Sequence, residues 1–295
     1  IFVKYEFWFY YLKKNQYRNI PLLLISASFR PSMSFFHWYG MLSRKMITRF
    51  NRIFVQDGES QQLLERIGIR DNVEIGGDTR FDRVISIADQ TEPIESVHAL
   101  LNHRRTIVLG SSWPADEQLW SFMRPWCQER NILLVIAPHE VDDAHLTDLL
   151  NLFPNAQLFS ALNSASAIES DVLIIDRIGL LSSLYRYGWI NYVGGGLLSG
   201  GVHNVLEAAV YGRPVVTGPH IEKYREAREL FTTGGLFALS GVETKKELQE
   251  LLTGWWADPQ ITSTIGTAAK NYVRNKTGAV DRIMKYIQEK RLLTN

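Results

Sequence analysis

The residues best placed to do chemistry lie between Val193 and Ala209. Three consecutive glycines, Gly194-Gly195-Gly196, are followed by Gly200-Gly201 and then by His203, Asn204 and Glu207. An apolar run from Trp189 to Val193 leads into the glycines, and an alanine-rich helix is predicted to leave them. The first turn of a helix carries backbone N–H groups without intrahelical partners and a partial positive charge, so a phosphate can settle there. Glycine removes the Cβ atoms that would hold the backbone away from such a group. With His203 and Glu207 four apart and Asn204 and Glu207 three apart, one helix face would carry all three beside the anion. A tight strand-to-helix turn with a solvated polar face fits the same glycines. The spacing also departs from the G-x-G-x-x-G dinucleotide fingerprint.

Four other candidates each follow a predicted strand. Ser111 lies after Thr106–Leu109, His139 after 131–137, Asp176 at the end of 171–176, and His220 after 214–217. A loop histidine or serine has no meaning alone. In an open parallel α/β sheet, however, the loops after the strands line one crevice, so their convergence with Gly195 and His203 predicts a binding site.

The elements that must position these residues read as strand and helix in alternation. In the first part, Ile1–Lys4 reads as the end of a buried strand, 5–17 as an aromatic-rich helix with Glu6 in its first turn, and 20–28 as a buried parallel strand. Residues 52–56 and 73–75 read as further strands flanking a helix over 58–67. A carboxylate at Glu6 complements the helix dipole, which is reason enough for its presence. Residues 33 to 52 combine Phe35, Phe36, Trp38, Tyr39, Met41 and Leu42 with Arg44, Lys45, Arg49 and Arg52, a composition that suits a membrane interface or a core-facing helix with a wet basic side. The polar stretch 86–95 reads as a linker, dividing the chain into 1–92 and 93–295.

Composition narrows the function class. The chain has 295 residues, 45% of them hydrophobic and 21% charged, the balance of a globular protein with room for two domains. A net charge of +1 gives no electrostatic footprint for nucleic acid. The single cysteine, Cys127, excludes an intrachain disulfide and a cysteine zinc cluster. His203 and Glu207 have i, i+4 spacing, but no H-E-x-x-H motif or third metal ligand accompanies them. Neither a G-x-S-x-G elbow nor a G-x-x-x-x-G-K-[ST] loop occurs.

Several segments together resemble the 3-deoxy-D-manno-octulosonic acid (Kdo) transferases, a family of GT-B glycosyltransferases. They are Lys4-Tyr5-Glu6-Phe7-Trp8, Gly77-Asp78-Thr79-Arg80-Phe81-Asp82, Pro138-His139-Glu140, Asp176-Arg177-Ile178-Gly179, Gly194-Gly195-Gly196-Leu197, Gly201 to Ala209 and Gly218-Pro219-His220, in family order along the chain. The resemblance implies an α/β GT-B fold, with two Rossmann-like parallel-sheet domains facing a cleft and the first domain incomplete. It implies an inverting, metal-independent transferase that uses no cofactor and moves Kdo from CMP-Kdo to a lipid A precursor in lipopolysaccharide biosynthesis. The expected location is the cytoplasmic face of the inner membrane, with peripheral membrane contact.

By the same resemblance, the CMP phosphate belongs at Gly195, Gly196 and Asn204, the ribose near Glu207, and the cytosine beside Asp176, Ile178 and Gly179. Ser111, His139, His203 and His220 join that pocket, Arg80 would meet the Kdo carboxylate, and Glu6 matches an acidic residue important in the family. The abrupt start at Ile1 suggests a fragment without the family's general base, which would leave it inactive. Departures from the family pattern are also present: Trp113 stands where a histidine ends the Gly-Ser-Thr-His-type loop, Leu180 where a glutamate is usual, and Ala137-Pro138-His139 in place of Pro-Arg-His. Another nucleotide-sugar enzyme, such as a UDP-sugar transferase or epimerase, or a non-catalytic nucleotide- or membrane-binding module, would share much of this pattern.

Overall fold

The computed structural model describes residues 1–90, 104–162 and 168–292. Two compact units are present, Ile1–Arg83 with Lys276–Asn295, and Val84–Asn275. This division differs from one at 92/93. The helix Thr79–Gln90 runs through the first part of the stretch read as a linker, and 91–95 lies outside the described residues. The chain's last helix also returns to the first unit.

The first unit holds a parallel sheet in the order β1 (Phe2–Val3), β2 (Leu23–Ala27), β3 (Arg52–Val55), β4 (Val73–Ile75). Its strands are short apolar runs buried among Leu12, Leu24, Ile47, Ile53 and Leu64. On the other face, Leu23 and Phe54 pack against Ile283 and Ile287 of the final helix, Ala279–Glu289, with Tyr286 edge-on to Phe54 at 5.6 Å. The Asp82 carboxylate accepts from the backbone N–H groups of Gly278, Ala279 and Val280 at 2.7, 3.1 and 3.3 Å. A carboxylate at that end answers both the orphan donors and the dipole. Residues 283, 286 and 287 thus give the helix a stripe that packs on the first sheet.

The second unit is a seven-stranded parallel sheet. In chain order its strands are β5 (Thr106–Ser112), β6 (Leu133–Pro138), β7 (Gln157–Leu158), β8 (Val172–Ile174), β9 (Ile190–Val193), β10 (Val215–Thr217) and β11 (Leu236–Ala238). In space they run β11-β10-β9-β5-β6-β8-β7. The chain therefore starts in the middle at β5, builds outward through β6 and β8, and returns to lay β9 against the other side of β5. That reversal between β5 and β9 is a topological switch point, where adjacent loops diverge and leave a crevice.

The strands of the second unit are apolar on both faces, as a doubly covered parallel sheet requires. Ile107, Leu109, Leu134, Ile136, Ile174 and Ile190 are fully buried, each worth roughly 1.5–3 kcal/mol relative to exposure. Cys127 is buried in the same core, and burial pushes its thiol up to about 12, which leaves it a packing residue.

At the edge of this core Arg124 donates to both Asp171 oxygens at 2.7 Å. That pairing, against the opposing effect of burial, holds the Asp171 carboxyl below its ordinary value. A carboxyl lowered in the folded state stabilises above its unfolded pKa and loses that contribution as pH falls through the folded one. Arg124→Met should therefore cost about 2 kcal/mol at pH 7, with the part due to Asp171 lost once pH drops below the folded value and the part due to the Arg124 bond to the Pro154 carbonyl remaining. Urea unfolding of both proteins across pH 2–7 reads this directly.

Candidate functional site

The loops after β5, β6, β9 and β10 meet at the switch point. β9 is followed by Gly194, whose N–H donates to the Gly110 carbonyl at 2.9 Å, so the glycine turn lies directly on the end of β5. The His203 N–H returns to the Gly194 carbonyl at 3.1 Å. The His220 N–H donates to the Gly196 carbonyl at 3.0 Å, and the Val202 N–H to the His220 carbonyl at 3.1 Å. His220 therefore acts through its backbone, clasping the loop from Gly196 to Val202, while its side chain is exposed.

The glycines have a structural reason that the sequence did not show. A Cβ on Gly194 would fall on the Ser111 carbonyl oxygen and 2.8 Å from Ser112 Cα. On Gly195, with φ +85°, it would lie 2.7 Å from the Gly201 oxygen and 2.9 Å from His203 Cδ2. On Gly196 it would lie on Thr217 Oγ1 and 2.7 Å from the Gly218 nitrogen. Three strands and a returning loop converge on these three residues, so the room that glycine leaves is taken by protein.

Beneath the turn sits Asp116, a buried carboxylate on the first turn of the helix Pro114–Gln128. It accepts from Tyr192 Oη at 2.6 Å, from the Gly195 N–H at 3.0 Å and from the Trp113 N–H at 3.0 Å. Burial raises its pKa, while these hydrogen bonds oppose the rise. Asp116 ties β9, the glycine turn and the loop after β5 into one piece. Its position three residues beyond Trp113, at a helix start opened by Pro114, is the signal in the sequence that it faces back toward the loop.

Over the turn lie three rings. Trp113 and His203 are close to coplanar, with an interplanar angle of 13° and centroids 6.2 Å apart, and the indole Nε1–H donates to His203 Nε2 at 2.8 Å. His139 stacks over both, 4.7 Å from Trp113 and 4.3 Å from His203. Burial, and then the neighbouring His139, lower the His203 pKa, favouring the neutral ring. Trp113, noted in the sequence only as the place where a histidine was missing, is thus the residue that joins the two histidines.

The loop bearing His139 has its own anchor. The His139 N–H donates to the Ser112 carbonyl at 2.9 Å. His145, on the helix Asp143–Leu152, meets Glu117 through Nε2 at 2.9 Å and the Glu140 carbonyl through Nδ1 at 3.1 Å. Both partners are acceptors, so both ring nitrogens donate and the ring is the imidazolium. Burial lowers the His145 pKa, but hydrogen bonding and charge from Glu117 outweigh it and the net direction is upward. Ser112 Oγ donates to the same Glu117 carboxylate at 2.8 Å. None of these three was singled out from sequence, because Ser112, Glu117 and His145 share no motif spacing.

The remaining candidates fall elsewhere. His203 lies ahead of the helix, not on it: Asn204 is the N-cap of Val205–Ala209, only five residues long, accepting from the Leu206 N–H at 3.2 Å and donating to Glu207 Oε1 at 2.8 Å. Asn204 and Glu207 are therefore paired with each other. Ser111, at φ +51°, sits where the β5–β6 register shifts, inside a strand that runs on to Ser112. Asp176 follows β8 and accepts from the Ser160 N–H at 2.9 Å and from the Ser160 hydroxyl. Ile178 is 90% exposed beside Gly179, whose φ is +93°.

In the first unit, Glu6 precedes the helix, which begins at Phe9, and its carboxylate accepts from the Val3 N–H at 3.1 Å. It borders an open cavity of about 380 Å³ with Ile1, Phe2, Trp8 and Tyr11. The Arg80 guanidinium lies on Asp78 Oδ2, at 2.9 Å from Nε and 2.7 Å from the terminal nitrogen. The segment 33–52 divides by burial. Phe35, Ile47 and Phe50 enter the core, Arg44 donates to the Phe35 and His37 carbonyls, and Arg52 pairs with Glu74. Trp38, Tyr39, Met41 and Leu42 are exposed together. Among the described residues no helix is long and apolar enough to cross a membrane, and no cluster of three or more His, Cys, Asp or Glu side chains could hold a metal ion.

Comparison with known proteins places this geometry in a group. Residues 1–83 match the family model for 3-deoxy-D-manno-octulosonic-acid transferase (kdotransferase). The 3-deoxy-D-manno-octulosonic acid transferase of Haemophilus influenzae is 24% identical over 298 residues, covering 98% of this chain and 68% of that protein. That of Rickettsia prowazekii is 26% identical over 231 residues, 76% of this chain and 48% of its own length. The chain thus spans about half the length of the Rickettsia felis and Rickettsia prowazekii relatives, 48% of each. Among solved structures, the C-terminal CMP-Kdo binding domain of WaaA from Acinetobacter baumannii superposes with a TM-score of 0.53 at 19% identity, over 65% of this chain and 98% of that one. The UDP-GlcNAc 2-epimerase of Neisseria meningitidis, bound to UDP-GlcNAc, gives 0.64 at 15% identity over 94% and 72%. At these identities the structural likeness is one of fold, and the fold is the α/β GT-B type.

Proposed function

We propose that the chain is a member of the 3-deoxy-D-manno-octulosonic acid (Kdo) transferase family, whose model its residues 1–83 match, and that it takes part in an inverting, metal-independent transfer of Kdo from CMP-Kdo to a lipid A precursor. The observation that carries the reading is the meeting of the β5 and β9 loops at a switch point, with a glycine turn and two imidazoles at the same place. In the reaction, an acceptor hydroxyl attacks the anomeric carbon of Kdo, and the bond from that carbon to the phosphate oxygen breaks. CMP leaves with the electron pair, and the hydroxyl proton passes to a base. The requirement at the leaving group is stabilisation of phosphate charge, which oriented N–H donors supply.

In this reading the phosphate lies over Gly195, Gly196 and Asn204, within reach of His139 and His203, with Ser111 and His220 at its margin. Glu207 holds the ribose, and the Asp176–Gly179 loop borders the cytosine. Arg80, already charge-paired, meets the Kdo carboxylate, and Glu6 serves on the acceptor side. No described residue is assigned as the base. The exposed Trp38, Tyr39, Met41 and Leu42 supply peripheral contact with the cytoplasmic face of the inner membrane, where aromatic and apolar side chains favour the headgroup region.

Nucleotide choice tests the donor. A ligand at a hundredfold excess over its Kd stabilises the fold by about 2.7 kcal/mol, so CMP should raise the unfolding temperature by several degrees and UDP should not. Stabilisation by UDP with none by CMP would transfer the chain to the UDP-sugar enzymes whose fold it shares. Stabilisation by neither would leave the nucleotide reading without support.

A further inference from the structure

We propose that Trp113 is a positioning residue that fixes His203 as a neutral ring protonated on Nδ1, so that His203 meets the leaving phosphate as a hydrogen-bond donor through Nδ1–H and not as an acid through Nε2. This rests on the CMP reading above and adds the residue and tautomer that would serve it. An indole nitrogen can only donate, so the 2.8 Å contact from Trp113 Nε1 requires a lone pair on His203 Nε2. The proton of a neutral imidazole must then be on Nδ1.

The surroundings fix the ring as well as the proton. The Cδ2–Nε2 edge lies against the glycine turn, with an ideal Gly195 Cβ 2.9 Å from Cδ2 and 3.2 Å from Nε2. His139 covers one face at 4.3 Å. The edge left is the one bearing Nδ1, on which no hydrogen bond falls among the described residues. Trp113 is itself held, its backbone N–H on Asp116, which also takes the Gly195 N–H. The same carboxylate therefore sets both the turn that would carry the phosphate and the indole that orients the imidazole. A histidine ending this loop could itself donate or accept, so it would not impose a single tautomer on residue 203. A tryptophan does.

The test is long-range 1H–15N correlation on histidine-labelled protein at pH 7.5, with His203 identified from the signal lost in His203→Gln. The ligand-free wild type should show the Nδ1-protonated pattern for His203, and Trp113→Phe, which keeps a ring in the stack but has no N–H, should show the two tautomers mixed. Adding CMP should shift the His203 Nδ1 resonance, and Trp113→Phe should weaken CMP about five-fold, the loss of one oriented hydrogen bond. An Nε2-protonated His203 in the wild type would overturn the proposal whatever CMP does. So would CMP that binds without moving Nδ1. If CMP fails to bind at all, the donor reading falls and takes the phosphate partner with it, while the ligand-free spectrum still separates that failure from a wrong tautomer.

Discussion

Asp116→Ala is expected to cost about 4 kcal/mol of folding stability, among the largest effects of any single substitution in this chain. The estimate follows from what the carboxylate holds. Two buried donors, Tyr192 Oη and the Gly195 N–H, and the half-buried Trp113 N–H would lose their acceptor together, and each unsatisfied buried donor costs roughly 1–3 kcal/mol. Water entering the space left would recover part of that, which is why the sum is not taken at its maximum. Asp116→Asn should fall between the two, because one oxygen still accepts while the new NH2 group faces donors. The measurement is the urea midpoint of the second unit's transition. A loss under about 1 kcal/mol for the alanine variant would mean that the carboxylate is not the tie described here.

Gly194→Ala should be the second severe change. The added methyl would land on the Ser111 carbonyl and 2.8 Å from Ser112 Cα, so backbone, not a movable side chain, must give way. Overpacking of this kind costs about 1–3 kcal/mol, and the shift needed would part β9 from β5 at the point where the two loops make the site. Gly200→Ala is the control from the same glycine-rich stretch: nothing lies within 4 Å of its ideal Cβ. It should stay within about 0.5 kcal/mol of wild type. If both glycine variants were equally mild, the turn would be looser than the close approach implies. Equal severity would point to a conformational demand that the geometry at Gly200 does not contain.

Those two substitutions also mark where the sequence was informative and where it was not. Apolar runs bounded by glycine and proline placed β5, β6, β9 and β10 to within a few residues, since buried parallel strands cannot hide their composition. The convergence of their loops followed from the parallel arrangement itself. What escaped was chemistry set by contacts distant in sequence. Asp116 meets Gly195 across 79 positions and Trp113 meets His203 across 90, and no local period records either pairing. The glycines were read as room for a ligand's approach, but Gly194, Gly195 and Gly196 are filled from within by Ser111, His203 and Gly218. His203 was read onto a helix face, but the helix begins after Asn204, so only Asn204 and Glu207 share its first turn. At the end of the chain, Ile283, Tyr286 and Ile287 have helical spacing, yet nothing local tells that they cover the first sheet.

Under the proposed function the nucleotide sits at the crevice between β5 and β9. Amide hydrogen exchange of the chain with and without saturating CMP tests this placement, because a nucleotide bound there slows exchange in the loops it covers. Slowed exchange is expected in the segment from Gly194 to Leu206, together with the loops at Ser111–Trp113 and His139–Glu140, with little change in the first unit's sheet. CMP that stabilises the protein while leaving the Gly194–Leu206 amides unprotected would contradict it.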